Sequence, residues 1–260
     1  MDDNSRTLFK IMQINFRSIL PLLLQTIAWP IARVLFWILC DFEVFGYKKI
    51  SRLPKGVIFA INHTSHLDPI AIRAALPWFS RFAPMFYVAR EQKIYDWKGW
   101  KGYLYGDTFF NIWGAYPAYP GKQDYVYSLR NFITIGKTRE SITIFPFGIE
   151  KLTDPEPKKP RGGVVFLSHY LQVPVVPVYI SECYHASFSS FFKARLTLKV
   201  VFGDPIYYHE QLPEFPLLDD YKNAAIVLGE KIKSLKYTIT STSMAHSDVS
   251  RALYNHNQHA

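Results

Sequence analysis

The sequence predicts an α/β protein: a central mixed, largely parallel sheet covered by helices, with an N-terminal membrane-associated helical segment. Three observations carry this. Short apolar runs alternate with stretches of helical character between residues 50 and about 236. Strands interleaved with helices pair in parallel, because each crossover returns the chain to the same end of the sheet. The residues before 50 differ from the rest in being almost continuously apolar over 19–40.

That first segment is broken by Pro21, Gln25, Pro30 and Arg33. Its length would span a bilayer. Arg33 is costly at the hydrocarbon centre and two prolines interrupt a helix. The favoured reading is a bent helix or helix pair sunk into one leaflet. A single membrane span and a helix wrapped round a soluble core are the alternatives. Lys10 and Arg17 precede the segment, and Lys48, Lys49, Arg52 and Lys55 follow it, so charge gives no orientation. The apolar region is too late and too long for an ordinary secretory signal, and no small-residue cleavage site follows.

Strands are expected at 57–61, 86–89, 141–145, Val175–Ile180 and 194–202. Helices are expected around 68–76, 124–136, 163–171 and 220–236. Between 94 and 122 lies an aromatic, glycine-containing stretch with Trp97, Trp100 and Trp113, read as irregular and near the site. Residues 153–160 form a Pro/Lys loop, after which Arg161-Gly162-Gly163 starts a helix. From 238 onward the chain is polar, without a clear period. The expected units are therefore a membrane-associated helical segment (1–45), an α/β domain (46–236) and a mobile polar tail (237–260).

Composition bounds the partners. Of 260 residues, 49% are hydrophobic and 17% aromatic, which excludes general disorder and fills a sizeable core. A net charge of +9 favours phosphates, anionic headgroups or nucleic acid. No zinc-finger spacing, RNP-like stretch or basic heptad region is present, so no nucleic-acid partner is expected. Cys40 and Cys183 lack metal or redox spacing and suit reduced thiols facing a cytosol.

The junction Asn62-His63-Thr64-Ser65-His66-Leu67-Asp68-Pro69 carries the chemistry. It joins an apolar strand to a helix. Imidazole takes a proton near neutral pH, and a carboxylate beside it fixes its tautomer and stabilises its charged form. Residues five apart do not share a helix face. His63 and Asp68 meet only if His63 lies on the loop and Asp68 in the first helical turn. Ser65 to Asp68 resembles a capping box, and Pro69 suits a first turn. Two other readings stand beside this one: Asp68 as a simple cap, and a metal held by His63, His66 and Asp68.

Three later segments join the junction: Phe145-Pro146-Phe147-Gly148, Val173-Pro174-Val175-Val176-Pro177, and Gly203-Asp204-Pro205-Ile206. In this order and spacing the blocks resemble those of the glycerolipid acyltransferase family, which contains the lysophosphatidic acid acyltransferases. The resemblance covers about residues 45–207. It implies that His63 is a general base oriented by Asp68, attacking through an acceptor hydroxyl on an acyl thioester. It implies substrate contacts at Asn62, Phe145, Pro146, Phe147 and Gly148. Acyl-CoA or acyl carrier protein is the implied co-substrate, with no resident cofactor and no metal. Membrane lipids are the implied partners, and the active site is expected on the cytoplasmic face.

Departures from the family pattern accompany the match. Pro120 stands where the second block carries an arginine. Phe147 replaces a glutamate, Ile149 a threonine and Glu150 an arginine in the third. Lys122, Lys151 and Arg161 are the cations that could serve instead. The altered block leaves a non-catalytic lipid- or acyl-binding relative, and a thioester hydrolase, as the competing expectations.

Overall fold

The computed structural model describes residues 3–90, 107–119, 124–149, 158–181 and 196–256. The chain begins with helix α1 (Asp3–Leu39) and runs directly into strand β1 (Cys40–Phe45). Helix α2 (Tyr47–Ile50), β2 (Ile58–Ile61), α3 (Asp68–Ala75) and β3 (Met85–Arg90) follow. Then come α4 (Asp107–Ile112), β4 (Ala115–Ala118), α5 (Tyr125–Ser128), α6 (Arg130–Lys137) and β5 (Ser141–Ile144). The described chain closes with α7 (Gly163–Leu171), β6 (Val175–Ile180), β7 (Leu196–Phe202), α8 (Tyr208–Gln211) and α9 (Leu218–His256).

These strands form one sheet in the order β1-β7-β6-β2-β5-β3-β4. Neighbours are parallel except β6 with β7. The predicted mixed, largely parallel sheet is therefore the observed one. The central strands β2, β5 and β6 are buried along their whole length, as apolar runs covered on both faces must be. Successive residues alternate between two cores. Ile58 and Ala60 pack under α6, α7 and α9 with Phe132, Val165 and Leu228. Phe59 and Ile61 face the other way, with Ile72 of α3, Phe36 of α1 and Ile50 of α2.

Two boundaries differ from expectation. The apolar segment does not end the membrane-associated unit at residue 45, because β1 pairs with β7 from Cys40↔Leu196 to Phe45↔Val201 and belongs to the sheet. Its Asp41 and Glu43 alternate with apolar residues, the pattern of a half-covered edge strand. At the other end α9 runs on to His256 through residues read as a tail. No glycine or proline falls between Glu230 and His256, so nothing stops the helix.

Helix α1 is one continuous helix through Pro21 and Pro30, so of the expected bent helix or helix pair the pair is excluded. Pro30 has no N–H to give the Thr26 carbonyl. The Trp78 indole donates to that carbonyl instead, at 2.9 Å. The polar residues of α1 turn to the body. Gln25 is buried; its Nε2 donates to the Met85 and Trp113 carbonyls at 2.8 and 3.0 Å, and its Oε1 accepts from Met85 N–H at 2.9 Å. Trp29 Nε1 donates to the Leu76 carbonyl and Arg33 to the Ala74 carbonyl. Outward, Ile19, Leu23, Ile27, Ile31, Val34 and Ile38 form an exposed apolar stripe. Arg17–Leu39 is long and apolar enough to cross a membrane by length and composition.

Candidate active site

Strands β6, β2 and β5 lie side by side and parallel, so their carboxyl ends open on one edge of the sheet. Ligands of open α/β sheets bind at such an edge. The His63 loop leaves β2 there. Asn62 fixes its start: Nδ2 donates to the Ile180 carbonyl at 2.8 Å and Oδ1 accepts from Ile180 N–H at 2.7 Å. The amide thus continues the β2–β6 ladder by one more rung. Asn62 is buried and both its polar atoms are occupied by Ile180, so it positions the start of the loop.

The loop brings His63 and Asp68 together. Nδ1 of the imidazole lies 2.8 Å from Asp68 Oδ2. The same oxygen accepts from the Thr64 and Ser65 backbone N–H groups at 2.8 and 2.9 Å. The Ser65 bond resembles the returning half of a capping box but lies ahead of α3, whose cap position is Leu67, and Ser65 Oγ accepts from Leu67 N–H at 3.2 Å. Asp68 opens α3 with Pro69 behind it. The aspartate side chain is 2% exposed and the histidine 17%, so the carboxylate is sealed and the imidazole is reachable. With Nδ1 donating to the carboxylate, Nε2 carries the lone pair. It has no partner among the described residues.

Phe145, just past β5, stacks on the imidazole with ring centroids 4.2 Å apart and planes 29° from parallel. The next residues form a tight turn in which Gly148 N–H donates to the Phe145 carbonyl at 3.0 Å. Gly148 has φ +64 and open space around it, so conformation, not crowding, requires the glycine. Pro146 is buried, and its carbonyl accepts from Arg161 N–H at 3.0 Å. This ties the exposed Arg161 to the turn. Phe147 goes elsewhere: it is 3% exposed, packs in the core and lies under the Lys233 ammonium. It is a core residue, not a lining one. Lys122 and Lys151, with Pro120 and Glu150, lie outside the described residues.

Sequence reasoning does not find Tyr87. Its hydroxyl donates to the Pro69 carbonyl at 3.0 Å and so holds the first turn of α3 against β3. Burial pushes this phenol well above its ordinary range, with the Arg73 charge opposing more weakly. A lone tyrosine in an apolar strand carries no signal of a loop 18 positions upstream. The metal reading gains nothing from the geometry: His66 is exposed, and among the described residues no group of three His, Cys, Asp or Glu could hold an ion.

The model of the acyltransferase family matches residues 42–181, more than half of the chain. The chain belongs to the acyltransferase family. The matched span takes in the His63–Asp68 loop and the Phe145–Gly148 turn, and ends just beyond β6. Among solved structures, the 1-acyl-sn-glycerophosphate (LPA) acyltransferase PlsC from Thermotoga maritima superposes with a TM-score of 0.54. The match covers 78% of this chain and 76% of that one at 17% identity, a likeness of fold. No curated protein matches the sequence. In this acyltransferase the buried carboxylate, the reachable imidazole and the aromatic ring across it form a site able to accept a proton at Nε2 and hold the resulting charge.

Proposed function

We propose that this acyltransferase moves a fatty acyl group from an acyl thioester, acyl-CoA or acyl carrier protein, to the hydroxyl of a lyso-glycerolipid or related lipid alcohol. The observation that carries the reading is the 2.8 Å contact of His63 Nδ1 with a buried Asp68, which leaves Nε2 open to an acceptor. His63 Nε2 takes the hydroxyl proton as the oxygen attacks the thioester carbonyl. Asp68 stabilises the imidazolium that forms. The tetrahedral intermediate collapses with C–S cleavage, and the imidazolium returns its proton to the thiolate. An ester and a free thiol result, and no resident cofactor is needed. General-base help of this kind contributes about 10²–10⁴ in rate, and holding two substrates together adds more. Backbone N–H groups of the Phe145–Gly148 turn other than that of Gly148, which the Phe145 carbonyl takes, would steady the oxyanion. Arg161, with Lys122 and Lys151, would meet a polar acceptor headgroup in place of the cations the chain lacks at positions 120 and 150.

Membrane association follows from the same reading, since the acceptor and the acylated product are lipids. The apolar stripe of α1 would lie in one leaflet while Gln25, Trp29 and Arg33 stay on the protein. The active site would then face the cytoplasm. The deciding experiment measures thioester consumption with a panel of lipid alcohols, comparing wild type with His63→Ala. The reading expects turnover that needs an acceptor and disappears in the variant. Equal rates in the two proteins would refute it. Thioester loss without any acceptor would indicate a hydrolase, and vesicle binding without turnover a binding protein.

A further inference from the structure

The turn that leaves α3 carries three consecutive exposed residues, Pro77, Trp78 and Phe79. Phe79 is 81% exposed, and its ring stacks on Trp78 with centroids 4.9 Å apart and planes 19° from parallel. Trp78 in turn stacks on Trp29 of α1, at 6.0 Å and 9°. Three aromatic rings thus form a ladder that starts on α1 and ends in solvent. Exposed apolar groups that adjoin one another mark contact surfaces, whereas single scattered ones do not.

The backbone beneath the ladder is held by a buried cation. Arg73 is 5% exposed, and among the described residues no carboxylate pairs with it. Taking a guanidinium out of water is costly, so the contacts it makes there matter. Nη1 donates to the Pro77 carbonyl at 3.2 Å and Nη2 to the Trp78 carbonyl at 2.7 Å. Both terminal nitrogens therefore serve the aromatic turn. Ser80 N–H closes that turn on the Pro77 carbonyl at 3.1 Å. A turn held this way presents Phe79 from a fixed backbone and loses little freedom when the ring is buried. The polar atoms of the rings are also satisfied. Trp78 Nε1 donates to the Thr26 carbonyl at 2.9 Å and Trp29 Nε1 to the Leu76 carbonyl at 2.8 Å. Neither indole would carry an unpaired N–H into an apolar phase.

Resting on the membrane-associated reading of α1, we propose that this turn is a second membrane contact, an aromatic wedge that enters the same leaflet as the α1 stripe. Its position favours a bilayer over other occupants. Thr26, which takes the Trp78 N–H, is followed by Ile27 of the exposed stripe, so the ladder and the stripe adjoin. The stripe belongs to a stretch long and apolar enough to cross a membrane. Tryptophan and phenylalanine beside an apolar helix face are residues that settle at the membrane interface. Two contacts, one along α1 and one off its flank, fix the tilt of the domain. A single helix would leave the domain free to roll about the helix axis.

The test uses the full chain as wild type, Phe79→Ser, Phe215→Ser and the double variant Ile27→Glu with Ile31→Glu. Phe215, ahead of α9, is 83% exposed and is the control for removing any exposed phenylalanine. Partition into neutral phosphatidylcholine vesicles is read by flotation, and mass in solution by sedimentation. Wild-type partition that falls roughly tenfold in Phe79→Ser and holds in Phe215→Ser supports the wedge. Partition lost in the double variant but unchanged in Phe79→Ser overturns the wedge and leaves the α1 reading standing. No vesicle binding by any of the proteins overturns both. Equal weakening by Phe79→Ser and Phe215→Ser overturns the wedge, because any exposed ring would then do. A wild-type dimer that Phe79→Ser splits assigns the face to a second copy of the chain and overturns it too.

Discussion

Asp68 Oδ2 accepts three hydrogen bonds, one from His63 and two from the Thr64 and Ser65 backbone. That arrangement sets what a substitution does. In Asp68→Asn the amide oxygen takes the position facing all three donors, because an N–H there would oppose them. The loop keeps its shape, and the imidazole keeps a neighbour but loses the charge that stabilises its protonated form. The expected outcome is acyl transfer lowered by about 10²–10⁴ with little change in acceptor KM. Steady-state kinetics on the folded variant, with far-UV circular dichroism unchanged, checks it. The residue pair was legible in the sequence because a strand end, a cap signal and Pro69 bracket it. Asn62 and Phe147 were not. An amide that closes a ladder with Ile180, and a phenylalanine that turns into the core beside Gly229, depend on neighbours more than 80 positions away.

At the scale of elements, α1 decides how the domain is built. Gln25 forms a bridge to Met85 that a β-strand neighbour would otherwise make, accepting from its N–H and donating to its carbonyl. Gln25→Ala strands the buried Met85 N–H and removes a donor from two carbonyls. An unsatisfied buried group costs about 1–3 kcal/mol. The expected result is a loss of at least that size in urea unfolding, whereas Ile27→Ala, on the exposed face, changes stability by less than about 0.5 kcal/mol. The same element explains what sequence reasoning misses. Apolar runs with turn signals announce β2, β3, β5, β6 and β7. Strand β1 is hidden because it follows α1 without a break. Strand β4 is hidden because Ala115–Ala118 is short and contains Pro117, which only an edge strand tolerates. Within α1, Gln25, Pro30 and Arg33 read as interruptions of a lipid-facing segment. The groups that Gln25 and Arg33 meet lie on β3, α3 and the turn after α4, which no local pattern reveals.

For the whole molecule, the two faces of α1 make opposite demands. Its inner face is bolted to the body through Gln25, Trp29 and Arg33, bonds that seating the helix in one leaflet would keep. Its outer face exposes Ile27 at 64% and Ile31 at 59%, with Trp78 and Phe79 beside α3 also uncovered. Burying each such side chain in lipid is worth about 1.5–3 kcal/mol at full burial. A membrane-seated α1 therefore predicts that Ile27→Glu with Ile31→Glu abolishes flotation with neutral vesicles while unfolding stability changes by less than about 1 kcal/mol, since neither side chain supports the core. Topology separates this seating from a span. A tag at the N-terminus and a tag at the C-terminus should both be cleaved by protease added to one side of sealed vesicles. A helix crossing the bilayer would have to give up the bonds of Gln25 to Met85 and of Arg33 to Ala74, and would leave one of the two tags protected.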